Sequence, residues 1–232
     1  VQTGTLNDSD VDQIGDMNDS DVSQIGASNR NDVDQDGDRN ESDVVTLGDN
    51  NRTRVTQGYS FATVNDDNIA SITQTGDGNV ATISQANDFS SAGSSDNIST
   101  QTQTGDNNRA YNDQDGDLNR NTQSQFGDNN LSVVNQNGMS NDADTDQLGD
   151  SNDGRTTQEG NSNDALTIQS GDFNRSYSNS YGDNNNATAR QTGDSNLSLI
   201  HQGGTSGEGP NNRNSTITNQ NGNSNTAHSD QY

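Results

Sequence analysis

An eleven-residue frame runs through this chain: Asn, five residues, Gln, one residue, Gly, two residues, then Asn again. Between Asn97 and Gly204 it repeats without a break. Gln103, Gln114, Gln125, Gln136, Gln147, Gln158 and Gln169 fall eleven apart, Ser180 takes the next slot, and Gln191 and Gln202 resume the series. A fixed short period means stacked repeat units, because one unit of this size cannot bury a face by itself. The frame continues on both sides of the central run. Nineteen arcs begin with Asn and seventeen reach Gln six residues later, Thr46 and Ser180 being the exceptions, so chance composition is excluded. Gln2 and Gly4 fit the tail of a further, partial arc.

Alternation within each arc separates two faces. In a strand, even offsets share one side and odd offsets the other. Positions two and four residues after each Asn read Ser9 and Val11, Ser20 and Val22, Thr53 and Val55, Ala70 and Ile72, Ser198 and Ile200. None of these 38 positions is charged, whereas the odd offsets hold 24 charged residues in 57 positions, so one face is dry and the other wet.

That split decides a conflict with composition. Only 22% of residues are hydrophobic and the net charge is −25, the usual signature of a chain too polar to offset its ordering entropy. Disorder explains neither the period nor the uncharged face. The single proline, Pro210, agrees with a chain built of hydrogen-bonded strands. No cysteine is present, so neither disulfides nor zinc–thiolate sites arise. The acidic balance argues against nucleic acid, whose phosphates need clustered cations. No apolar run is long enough for membrane insertion, and no signal peptide is recognisable. Val1 in place of Met is consistent with a processed, exported chain.

After each Gln the chain must turn. Gly15, Gly37, Gly105, Gly116, Gly127 and Gly149 stand two residues on, each followed by Asp. Glycine tolerates positive φ and Asp can bond its own backbone, so Gly-Asp-x-Asn reads as a corner before a new strand. The expected fold is all-β: one domain over 1–232, a flattened parallel β-solenoid of about 9–10 coils, each of two eleven-residue arcs. Longer loops replace the corner at 58–67, 86–96 and 203–213. All three follow odd-numbered arcs, which places them on one edge.

In such a stack the Asn and Gln positions form amide ladders through the interior, with small and β-branched residues interdigitating between them. The ladder residues named by the frame include Asn7, Gln13, Asn18, Gln24, Asn130, Gln136, Asn141, Gln147, Asn196 and Gln202. Outside, Arg120 should stack on Asp142 and Asp153 on Arg175, while Asp10 with Asp32 and Asp21 with Asp43 bring like charges together.

The stretch Asn130-Leu-Ser-Val-Val-Asn-Gln136-Asn-Gly138-Met-Ser-Asn141-Asp-Ala-Asp-Thr-Asp-Gln147 resembles the curlin repeat of curli fibre subunits, and the resemblance extends over almost the whole chain. It implies an exported bacterial protein that polymerises as functional amyloid in the biofilm matrix, extracellular, partnered by itself, a curli-type secretion pore and a nucleator subunit. The chain departs from that pattern in its greater number of repeats, glycine in most arcs, and a more acidic exterior.

Enzymatic chemistry is not expected. His201 and His228 fall at outward offsets without the carboxylate and nucleophile that triad logic needs. No cofactor is expected. Asp8-Ser-Asp10-Val-Asp12 resembles the start of a calcium loop but lacks the Gly and Glu that complete one, so calcium on the acidic outer face is a minor reading beside a solvated surface. The Asn-x-Ser/Thr sequons are a by-product of the frame. The favoured function is a fibre subunit adding head to tail through uncapped end strands, with Asn7, Val11 and Gln13 at one end and Asn225, Ala227 and Gln231 at the other. The alternative is an acidic adhesin or ion-binding solenoid that does not polymerise; an ice-binding variant lacks a repeated outward Thr array.

Overall fold

A computed structural model describes residues 1–58, 66–85, 95–203 and 213–231. Twenty strands form two parallel ten-stranded sheets. The odd sheet stacks, in order, β1 (Gln2–Thr5), β3 (Asp19–Ala27), β5 (Glu41–Leu47), β7 (Ile69–Thr75), β9 (Ile98–Thr104), β11 (Arg120–Phe126), β13 (Asp142–Leu148), β15 (Asp164–Ser170), β17 (Asn186–Thr192) and β19 (Ser215–Asn221). The even sheet stacks β2 (Asp8–Ile14), β4 (Arg30–Asp36), β6 (Arg52–Gln57), β8 (Val80–Gln85), β10 (Arg109–Asp115), β12 (Leu131–Asn137), β14 (Asp153–Glu159), β16 (Arg175–Tyr181), β18 (Leu197–Gln202) and β20 (Thr226–Gln231). Each odd strand and its following even strand make one coil, so the architecture is the flattened β-solenoid that the period predicts.

Register follows the frame throughout. Gln125 pairs with Gln147, Gln136 with Gln158, and Val33 with Val55. Slipping β13 by one residue would turn Asp142, Asp144 and Asp146 inward, so burial fixes the register. The crossings between β6 and β7, β8 and β9, and β18 and β19 all run from the even sheet to the odd sheet. Most of each connection (59–65, 86–94 and 204–212) lies outside the described residues.

The interior is not uniform along the stack. Val33, Val44, Val55, Ala70, Ile72, Ala81 and Ile83 form an apolar cluster in the coils of β4 to β8, and Ala187, Ala189 and Ile200 form a smaller one near the far end. Immediately after the first cluster the fourth offset carries amides in three arcs, before Val134 and a run of hydroxyl residues. Gln101, Asn112 and Gln123 are fully or nearly fully buried there, with Asn121 beside them. Gln101 Nε2 donates to Gln123 Oε1 at 2.7 Å, and Gln123 Nε2 to Ser132 Oγ at 2.8 Å. Gln101 Oε1, Asn112 Oδ1 and Asn121 Oδ1 lack a protein donor.

Of two surface expectations, one holds in register and one needs correction. The alternating ladders are in register, Arg120 on Asp142 and Asp153 on Arg175, yet the close ion pairs among the described residues lie elsewhere: Arg39–Asp67 at 2.6 Å, Arg155–Asp153 at 2.9 Å and Arg54–Asp32 at 3.9 Å. Outward side chains in a parallel sheet stand side by side over solvent, so a long guanidinium gains as much from a neighbour along its own strand or at a corner. A short hydroxyl grid also exists: Ser71, Thr100 and Thr122 stack in one row, and Thr73, Thr102 and Ser124 in the next.

Candidate assembly surfaces and their amide ladders

The ladders make two kinds of bond. Each interior Gln donates along the stack to the next Gln and across the interior to the backbone at the start of a strand in the other sheet. Gln125 Nε2 lies 2.8 Å from Gln147 Oε1 and 3.0 Å from Arg109 O; Gln136 Nε2 lies 3.0 Å from Gln158 Oε1 and 2.8 Å from Arg120 O. Gln147 repeats the pattern with Gln169 Oε1 and Leu131 O. The amide therefore ties coil to coil and sheet to sheet at once, a cross-sheet role that the period alone does not disclose. Where the frame departs from Gln, the series breaks: Gln24 Nε2 still reaches Asp8 O at 2.8 Å but meets Thr46 instead of a glutamine in the next coil, and Gln74 Oε1, one coil beyond Thr46, has no donor. At the other exception Ser180 Oγ reaches Gln202 Oε1 at 3.2 Å, and Gln202 Nε2 donates to Asn186 O at 2.7 Å.

Each Asn secures a corner. Asn130 Oδ1 accepts the backbone N–H of Asn152 at 3.0 Å, and its Nδ2 donates to Gly149 O at 2.8 Å. Asn7, Asn18 and Asn141 do the same with Gly26, Gly37 and Gly160, and Asn196 accepts from Asn225 N at 3.0 Å. The corner glycine is required twice over. Gly127 has φ +112, and a Cβ there would stand 2.3 Å from Gly149 O in the next coil. Gly15, Gly37, Gly105, Gly116 and Gly149 hold the same positive-φ position.

Asp at the corner acts differently from the sequence expectation. It bonds the neighbouring coil, not its own backbone: Asp150 Oδ1 accepts from Asp128 N at 2.8 Å, and Asp172 Oδ1 from Asp150 N at 2.8 Å. The residue before each Asn is also unexpected. Leu6, Met17, Arg39, Leu118, Asn129 and Phe173 all sit near φ +60, a left-handed conformation that costs a non-glycine residue about 1–2 kcal/mol. The signal is present only as the tolerance of Ser, Asn and Asp at that slot, and the apolar examples hide it.

The charged exterior perturbs several carboxyls. Burial, reinforced by Asp12, Asp32 and Asp36, raises Asp34. Burial with Asp146 and Asp142 raises Asp144, and burial with Asp142 raises Asp164. Asp67 is lowered, chiefly by its hydrogen bond from Arg39. Among the described residues no three His, Asp or Glu side chains group closely enough to hold a metal ion. His228 does meet a carboxylate, Asp230, at 3.1 Å, contrary to the expectation for it; the hydroxyl between them, Ser229, lies at an inward offset 3.5 Å from Thr216 Oγ1.

At the ends of the stack β1 and β2 on one side, and β19 and β20 on the other, each have a ladder partner on one side only. Asn7, Val11 and Gln13 lie in or beside β2; Asn225, Ala227 and Gln231 lie in or beside β20. Val11 and Gln13 are exposed although their counterparts one coil in, Val33 and Gln35, are buried. Sequence reasoning named only the even-sheet half of each end; β1 and β19 complete them.

No curated protein matches the chain. The family model of the curlin associated repeat matches residues 1–26 and 26–58, which carry the Asn, Gln and Gly positions that recur in most later arcs. Over those residues the chain is similar to the curlin associated repeat.

Proposed function

We propose that this chain is an extracellular, curli-type fibre subunit that polymerises head to tail, the β1/β2 end of one copy stacking on the β19/β20 end of the next. The observation that carries the reading is that the end coils keep the interior frame. Gln13, Val11 and Asn7 occupy the positions that Gln231, Ser229 and Asn225 occupy at the far end. Stacking one end on the other therefore repeats the interior ladders and satisfies a row of open backbone groups, which proteins that stay monomeric normally obstruct. Such a contact is heterologous and does not close, so it propagates as a filament. The match of residues 1–58 to the curlin associated repeat supports the same reading, and with it a place in the biofilm matrix and in adhesion, export through a curli-type pore, and a separate nucleator.

Backbone direction supplies the test. Asp8 N donates inward to Asn29 O, and N–H groups alternate sides along a parallel strand, so Val11 N–H points out of the open end. Val11→Pro loses no interior bond yet blocks that end, and His228→Pro does the same at the other. Each variant should fold and then stop seeded elongation at substoichiometric amounts. Elongation that proceeds unchanged in the presence of both refutes head-to-tail addition.

A further inference from the structure

We propose that the filaments stack laterally, the even-sheet face of one copy against the odd-sheet face of a second copy of this chain, with the two in axial register. This rests on the filament proposed above and adds the partner for its sides.

The placement of cations carries the argument. All positive side-chain charge comes from arginine, and of the ten, six stand outward on even strands but only Arg120 and Arg190 on odd strands. The odd face is acidic and free of cations at two heights. One is β3 and β5, with Asp19, Asp21, Glu41 and Asp43; the other is β13 and β15, with Asp142, Asp144, Asp146 and Asp164. The even strands of those same coils hold arginine. β4 and β6 carry Arg30, Arg52 and Arg54, and β14 and β16 carry Arg155 and Arg175. The coil of β7 and β8 is uncharged on both faces.

Opposite faces of one solenoid cannot use this match. Their sheets are separated by about 10 Å and their outward groups by more, which is a full screening length at 0.1 M salt. Facing copies at equal height bring the groups together. Odd and even strands run in opposite directions, so with the strand centres aligned the central outward position of each strand faces its counterpart. There Arg54 meets Asp43, Arg155 meets Asp144, Tyr177 meets Leu166 and Thr82 meets Ser71. The acidic mismatch at that central position, Asp32 opposite Asp21, has Arg54 of its own chain 3.9 Å away. Arg30 and Arg52 stack directly on one another, and among the described residues neither has a carboxylate at ion-pair distance, which leaves both available to a neighbour. The contact is also large enough. Ten strands at about 4.8 Å by seven residues at about 3.3 Å give roughly 1,100 Å² per face, above the roughly 800 Å² per partner of a stable interface.

Charge reversal with rescue tests this. Filaments of Arg54→Glu/Arg155→Glu and of Asp43→Arg/Asp144→Arg are each measured for mass per length at about 0.1 M salt, where face contacts survive and more distant edge repulsion is screened. Wild-type filaments should show integral multiples of the single-filament value. Each reversed variant alone should fall to that single value, Arg54→Gln/Arg155→Gln should lie between, and mixing the two reversed filaments should restore the multiples. Stacking that persists in either reversed variant, or a mixture that stays single, overturns the proposal. Seeded elongation is scored on the same samples; wild type that does not elongate would refute the underlying filament instead.

Discussion

Replacing Gln125 with leucine isolates what the amide ladder contributes. Gln125 is fully buried, accepts from Gln103 Nε2 at 2.8 Å, and donates to Gln147 Oε1 at 2.8 Å and Arg109 O at 3.0 Å. Leucine keeps most of the volume but none of these bonds. One N–H of Gln103 stays paired with Val80 O, so the change leaves one buried donor on Gln103 and one buried acceptor on Gln147 without partners. Each costs about 1–3 kcal/mol, and the added apolar burial returns up to about 2 kcal/mol. At the middle of those ranges the expected net loss is about 2–4 kcal/mol, read as a lower guanidinium midpoint of the monomer. Faster hydrogen exchange should be confined to the coils of β9, β11 and β13. Ser124→Ala, one residue away on the outward face, should stay within about 0.5 kcal/mol. A leucine variant as stable as wild type would refute the idea that paired amides hold the interior, leaving the Gln period without a physical cause.

Further expectations concern corners, pH and salt. Gly127→Ala should prevent the coil of β11 and β12 from closing, since the new Cβ meets Gly149 O at 2.3 Å; loss of protection there by hydrogen exchange is the readout. Leu118→Gly should stabilise by about 1 kcal/mol by relieving a left-handed leucine at φ 59, seen as a raised denaturation midpoint. Asp144 and Asp164 titrate above their ordinary value of 3.8. Their contribution is therefore fully present below that value and is lost as pH rises through the folded pKa. Asp144→Asn should raise the melting temperature at pH 7 and flatten its rise on acidification. Asp67, lowered by Arg39, has the opposite sign and favours the fold above the ordinary carboxylate range. With a net charge of −25, assembly should quicken between about 0.01 and 0.1 M salt as the screening length falls from about 30 to 10 Å; a rate independent of salt would contradict that.

The parts of this fold that were legible in the sequence are those that depend on period and polarity. The spacing of Asn130, Gln136, Asn141 and Gln147 fixed strand length, register and sheet count, because a register slip would bury aspartates. The position of Gly127 and its equivalents placed the corners. What stayed hidden depends on direction within the stack. The frame says that Gln125 meets Gln147 but not that it also reaches Arg109 O in the other sheet. It marks Asp128 as a turn residue but not that its backbone is held by Asp150 of the next coil. The left-handed slot was obscured because Leu118 and Phe173 occupy it against their intrinsic preference, held there by the coils above and below. The pairing of Arg54 and Arg155 with particular acidic heights emerged only once each arc was assigned to a sheet and a level.

The central claim is that coils stack across the boundary between copies as they do within one. Mass per length of the thinnest filaments tests it most directly. Ten layers at about 4.8 Å give each 24.6 kDa chain about 48 Å of axis, hence about 5 kDa per nm. Strands stacked one chain per layer would instead give about 50 kDa per nm, and either that value or a chain that remains monomeric at high concentration would contradict the account.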